Sequence, residues 1–149
     1  MTALGDPVSI TLIASAILGV SWYVSSMELA MAGLAIPTTV VIGAILKLTF
    51  ERARPVTEYA LNMKLKTFSF PSGHSSGSMI AFGLLAYFAF MVLPASFNVM
   101  IGGLLCLVPL FVGISRVYLG AHFPSDVLAG WLLGLIALAI VIQIIRPLV

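Results

Sequence analysis

The chain has 149 residues, 61% of them hydrophobic and only 8% charged, with a mean hydropathy of +1.18. A soluble domain carries about 25% charged residues, so a water-facing surface cannot be built from this composition, and at roughly 20 apolar residues per spanning helix the length allows about six spans with almost nothing left for a soluble domain. The net charge of +2 gives no footing for nucleic-acid binding, and a lone Cys106 excludes a disulfide framework within the chain.

The first 30 residues have no basic leader region, since Asp6 is the only charged residue before Glu28, and the apolar run that follows is of spanning length; it reads as a retained helix. Five apolar stretches are expected, at about Val8 to Ser26, Leu29 to Leu48, Ser75 to Leu93, Val99 to Val117 and Pro124 to Ile145. The joint at Ser26 to Glu28 and the Pro94 to Asn98 turn are short. The other two joints hold nearly all the polar residues: Glu51 to Phe70 carries Glu51, Arg52, Arg54, Glu58, Lys64 and Lys66, and Ser115 to Asp126 carries Arg116, His122 and Asp126. Alternating spans bring these two segments and the N-terminus to one side of the membrane. No solenoid-period repeat is present, and Gly130-x3-Gly134 fits close helix packing. The expected architecture is an all-α, polytopic membrane bundle of about five transmembrane helices, forming one domain over residues 1–149.

Three polar blocks carry chemistry. Lys47-x6-Arg54-Pro55 closes the second span; on a helix continuing through Arg54, the seven-residue step would put both cations on one face. Read alone, it is also what a snorkelling lysine beside a basic loop looks like. Pro71-Ser72-Gly73-His74 precedes the third span. A helix N-terminus there would offer free N–H groups and a positive dipole end to an anion, with Gly73 allowing close approach and Ser72 supplying a hydroxyl or a cap. Its plain alternative is a Pro-Ser helix start followed by an interfacial histidine. Ser115-Arg116-x5-His122-x3-Asp126 leads into the last helix, where Pro124 suits the first turn. Asp126 then lies one turn from His122, placed to hold one imidazole N–H and leave the other ring nitrogen as an outward lone pair; a capping aspartate and a solvated histidine would look the same. Together the blocks weigh more than singly, because ionisable groups at membrane depth are costly. Three cations, a helix N-terminus and a His–Asp pair suit a phosphate ester, whose chemistry is mostly positioning and charge neutralisation. A metal site is a weaker explanation: carboxylates are few, and cations beside Asp126 oppose a divalent ion.

In this order and at these spacings, the blocks resemble the three signature motifs of the type 2 phosphatidic acid phosphatase family, membrane relatives of bacterial acid phosphatases and vanadium haloperoxidases. Eleven of eleven specified positions match, and the motif-bearing core runs from Lys47 to Gly134. Family members usually have six spans where this sequence offers five. The resemblance implies an acid phosphatase/vanadium haloperoxidase-like core and a lipid phosphate or diphosphate phosphatase without metal or other cofactor. It implies that His122 attacks phosphorus, Asp126 orients it and His74 protonates the leaving oxygen. Lys47, Arg54, Arg116, Ser72 and Gly73 would hold the phosphoryl oxygens, and Pro55, Pro71 and Ser115 would support them. The implied partners are a lipid phosphate substrate (phosphatidic acid, phosphatidylglycerol phosphate or undecaprenyl diphosphate) and the bilayer, with no nucleic acid; the oligomeric state is not legible. Alternatives from other classes are a non-catalytic anion- or lipid-binding membrane protein and a phospholipid-group transferase using the same site; haloperoxidase activity fits the membrane composition poorly. Six of the seven Lys and Arg fall on the site side, which by the positive-inside rule points to the cytoplasm. Discounting the three phosphate-binding cations leaves Arg52, Lys64 and Lys66 against Arg146, and the family resemblance then favours an extracytoplasmic site in a bacterial inner membrane.

Overall fold

Helix starts and stops follow local capping chemistry. The computed structural model describes residues 2–62 and 67–146, so the charges expected at Lys64 and Lys66 lie outside the described residues. A short 3-10 turn, Thr2–Gly5, leads to α1, Pro7–Val24, whose N-cap Asp6 accepts from the Val8 N–H at 3.0 Å. Ser25, at φ 54°, ends α1, and Ser26 at once caps α2, Met27–Phe50, by accepting from the Leu29 N–H. A five-residue α3, Glu58–Asn62, lies in the polar joint. The remaining spans are α4, Gly73–Val92, α5, Ala95–Tyr118, and α6, Pro124–Ile145. Five of these helices are long and apolar enough to cross a bilayer, at limits within four residues of those expected, and there is no strand among the described residues. The protein is an all-α integral membrane bundle.

The helix through Arg54 that would have put Lys47 and Arg54 on one helical face does not form. Glu51 takes a left-handed conformation, φ 46°, and its N–H closes on Lys47 O, so the helix stops at Phe50. Pro55 also disfavours a helical Arg54. Residues 51–57 run without helix, pinned where the Ser69 N–H and hydroxyl both donate to Arg52 O, at 2.8 and 3.1 Å.

α4 is the hub. It packs on all four other spans and is 56% buried, against 22–28% for the others, with an unbroken buried run from Ser75 to Phe82. Small residues make this possible. A Cβ on Gly130 would stand 2.6 Å from Ser72 O, and one on Gly134 would stand 2.8 Å from Ser76 O, so the Gly130-x3-Gly134 step is where α6 lies backbone-close on α4. The apolar core gathers Ile10, Ile17, Ile36, Ile80, Leu84, Val141 and Ile145 from α1, α2, α4 and α6. Large apolar side chains such as Leu12, Val41, Leu104 and Leu132 point outward, as a lipid-facing surface requires. The ends of α2 and α5 and the starts of α1, α4 and α6 therefore share one face of the bundle.

Candidate active site

The three polar blocks converge on that face. Lys47, one turn from the end of α2, reaches across to the joint before α4, and its ammonium donates to Phe68 O at 3.0 Å and Pro71 O at 2.7 Å. Arg54 lies in the non-helical segment after α2 and ties the two joints together. Its Nε donates to Thr67 O at 2.7 Å, Nη2 to Thr67 Oγ1 at 2.9 Å, and Nη1 to Ala121 O at 2.9 Å. Arg116, at the end of α5, is 4% exposed, and its Nε is buried without a hydrogen-bond partner. A buried donor without an acceptor is costly, and here it is aimed into a cluster of cations that share the need for an anion.

The start of α4 is built as the sequence suggests, with one refinement. Ser72 is fully buried and caps the helix, its Oγ taking the Ser75 N–H and hydroxyl at 3.4 and 3.0 Å. The Ser72 N–H donates to Asp126 O at 2.9 Å, which locks the α4 start onto the α6 start. Gly73 and His74, rather than Ser72, line the cavity. Pro71 supplies a carbonyl to Lys47, and Ser115 Oγ donates to Val112 O.

His122 lies between α5 and α6 and is 3% exposed. Its Nε2 faces Arg54 Nη1 at 3.3 Å. A guanidinium has only donors, so Nε2 is the acceptor and the ring proton resides on Nδ1. That nitrogen lies 3.5 Å from Asp126 Oδ2 but makes no hydrogen bond, a looser contact than the expected carboxylate–imidazole bond. Burial first, then the charges of Arg54, Lys47 and Arg116, push the His122 pKa down to about 3, so the ring is neutral at ordinary pH.

Asp126 is fully buried and more heavily engaged than a partner for His122 alone. Oδ2 accepts from the Phe123 N–H at 3.0 Å, closing the first turn of α6, and Oδ1 accepts from Arg52 Nη1 at 2.8 Å. Arg52 is thus a site residue the sequence reading missed, having counted it only as a topological charge. The available signal was its place two residues before Arg54, in the same polar joint.

Three of the cations and both histidines open into one cavity of about 590 Å³. Lys47, Arg54, Thr67, Gly73, His74, Arg116 and His122 line its polar end. From there it runs between α1, α2 and α4 over Ile10, Ala14, Leu18, Ile36, Val40 and Ala44. Among the described residues, no three His, Cys, Asp or Glu side chains gather as a metal ligand set.

The model of the PAP2 superfamily matches residues 28–148. The chain belongs to the PAP2 superfamily. Within it, the chain is 36% identical over 120 residues to phosphatidylglycerophosphatase B of Bacillus subtilis (strain 168), covering 79% of this chain and 58% of that protein. It is 34% identical over 99 residues to an undecaprenyl-diphosphatase of Sulfolobus acidocaldarius, covering 64% of this chain and 44% of the other. It therefore spans about half the length of the curated PAP2 relatives it matches. In structure it is similar to the crystal structure of a transmembrane PAP2-type phosphatidylglycerolphosphate phosphatase from Bacillus subtilis, at TM-score 0.78 and 31% identity over 98% of this chain and 73% of that one.

Proposed function

We propose that this chain is a lipid phosphate or diphosphate phosphatase that works through a phosphohistidine and needs no metal ion. The carrying observation is the single cavity that joins three cations and two histidines to an apolar groove between α1, α2 and α4. Its shape and lining suit a molecule with a phosphate at one end and a hydrocarbon tail at the other.

The phosphoryl group sits among Lys47, Arg54, Arg116 and the Gly73 N–H, with Ser72 acting as the cap that holds Gly73 in place. Lys47 and Arg54 are already held by loop carbonyls, so little reorganisation of these two is required when charge develops in the transition state. An incoming phosphate competes for Arg54 and frees the Nε2 lone pair of His122. Nε2 attacks phosphorus; the P–N bond forms as the bond to the lipid oxygen breaks, and His74 delivers a proton to that oxygen. The positive charge left on the ring is met by Asp126 at Nδ1. Water then attacks phosphorus, His74 takes its proton, the P–N bond breaks, and inorganic phosphate leaves with His122 neutral again. Pro55, Pro71 and Ser115 fix the backbone around these groups.

The names of the relatives favour phosphatidylglycerol phosphate and undecaprenyl diphosphate over phosphatidic acid. Residues 1–149 act as one domain in a bacterial inner membrane, with the site on the extracytoplasmic side. The test is release of inorganic phosphate from these three lipids by the purified full chain in detergent with EDTA present. Turnover with EDTA is expected. Loss of activity in EDTA with recovery in magnesium would replace the mechanism with a metal-dependent one. Lipid binding without turnover would leave a recognition protein.

A further inference from the structure

Among the described residues, Arg52 is the one cation on the site face that the proposed chemistry leaves unused. It does not line the cavity. Its Nη1 instead donates to both Ser125 Oγ at 2.7 Å and Asp126 Oδ1 at 2.8 Å, and its guanidinium carbon lies 4.4 Å from the centroid of the Phe123 ring. The three partners are consecutive or nearly so at the start of α6. Its own backbone is fixed by two bonds from the fully buried Ser69. The arginine is 39% exposed while Asp126 is fully buried, so the guanidinium reaches inward from the surface to a carboxylate that water does not reach.

We infer that Arg52 is the positioning residue for His122, acting through Asp126. This rests on the reading of the site as a histidine phosphatase and extends it from a His–Asp pair to an Arg52–Asp126–His122 relay of fixed geometry. A carboxylate can turn about its Cβ–Cγ bond. With Oδ1 held by Arg52 and Oδ2 by the Phe123 N–H, the Asp126 plane is set, and Oδ2 is left facing His122 Nδ1 at 3.5 Å. That placement sets a fixed negative charge beside Nδ1 of the ring whose Nε2 lone pair faces the phosphate cations. Removing Arg52 leaves Oδ1 buried without its donor. The carboxylate then turns to find another partner, and His122 loses the charge held beside Nδ1 while the phosphate clamp of Lys47, Arg54 and Arg116 stays intact.

The expected signature is a loss in kcat without a matching change in KM. Arg52→Gln lowers kcat about 5- to 100-fold, the range set by leaving one buried acceptor unsatisfied, and leaves KM within about threefold. A cycle with Asp126→Asn decides the route: if Arg52 acts through Asp126, the double variant is no slower than Asp126→Asn alone. Multiplying losses, or a rise in KM with kcat unchanged, would overturn the inference and make Arg52 a direct phosphate contact. A second readout needs no turnover. In the ¹⁵N imidazole spectrum the wild type shows a protonated Nδ1 and an Nε2 without a proton for His122, and Arg52→Gln is expected to shift the Nδ1 resonance as the Asp126 carboxylate turns away. An unchanged spectrum overturns the inference even where no lipid is hydrolysed, so its failure is separable from that of the phosphatase reading. Should the glutamine variant fail to fold in detergent, Arg52→Lys, which keeps the charge but not the fork geometry, carries the same two measurements.

Discussion

Arg54 Nη1 lies 3.3 Å from His122 Nε2, across 68 positions of chain. In the proposed mechanism the contact makes one guanidinium both a phosphate ligand and the group that marks which imidazole nitrogen would be the nucleophile. The same guanidinium also bonds Thr67 and Ala121, so it spans both polar joints. Three losses are expected around this contact. His122→Ala removes the nucleophile and is expected to abolish phosphate release. Asp126→Asn keeps the nucleophile but not its orienting charge, and is expected to slow turnover about 10- to 10⁴-fold. Arg54→Gln is expected to cost about 10²- to 10³-fold, as loss of one donor to a developing oxyanion does. Steady-state kinetics on lipid phosphates in detergent checks all three; near-normal turnover by His122→Ala would exclude the assignment.

The depressed pKa of His122 gives a pH prediction with a definite sign. Burial and three cations hold it at about 3, below the ordinary 6.5 of a histidine. Between these values the unfolded chain binds the extra proton, so this residue's contribution to stability is lost as pH falls from 6.5 toward 3. A bound anion cancels part of the cationic field and raises the pKa. The chain has only two histidines, so side-chain NMR with His74→Gln for assignment reads the effect directly. His122 is expected to stay neutral down to about pH 4 without ligand and to titrate at higher pH with saturating vanadate. Titration near 6.5 in the ligand-free protein would mean that the cations do not face it.

The α4–α6 contact predicts a stability effect at Gly130. A methyl group there would meet the Ser72 carbonyl oxygen at 2.6 Å and Ser75 Cβ at 2.9 Å, and backbone cannot yield as a flexible side chain can. Gly130→Ala is expected to destabilise by about 1–3 kcal/mol through overpacking and to slow turnover as well, because the Ser72 N–H to Asp126 O bond aligns the two helix starts. Gly103, whose added Cβ would meet nothing within 4 Å, is the control. Thermal melts in detergent should separate the pair, with Gly103→Ala unchanged or slightly stabilised by helix propensity.

The residues that were legible in the sequence share a physical cause. Span limits follow from apolar length and from caps such as Ser72 and Pro124, whose preferences are local. Convergence of Lys47, Arg54, His74, Arg116 and His122 follows from alternating spans, which fix the side of the membrane without any knowledge of packing. What was not legible depends on single backbone torsions. Glu51 carries no sequence mark of a left-handed stop, yet its φ of 46° ends α2 at Phe50 and leaves Arg52 and Arg54 on non-helical chain. That change is why Arg54, and not a helical neighbour, reaches His122, and why Arg52 reaches Asp126. The short α3 was missed for a related reason: five residues are below the length at which periodicity can be read.

Membrane orientation is where charge counting and the proposed chemistry disagree. Of the cations on the site face, Lys47, Arg54 and Arg116 line the cavity, and Arg52 is committed to Asp126. Those positions are accounted for by the site itself, so they carry little weight as topogenic charges, and the proposal places this face outside the cytoplasm. The test uses a Cys106→Ser background, since that thiol is exposed. Single cysteines go at Asn62, exposed at the end of α3, and at Ser96, exposed in the first turn of α5 on the opposite face. A membrane-impermeant maleimide applied to intact cells is expected to label Asn62→Cys at once and Ser96→Cys only after lysis. The reverse pattern would put the cavity mouth in the cytoplasm and make the inner leaflet the source of substrate.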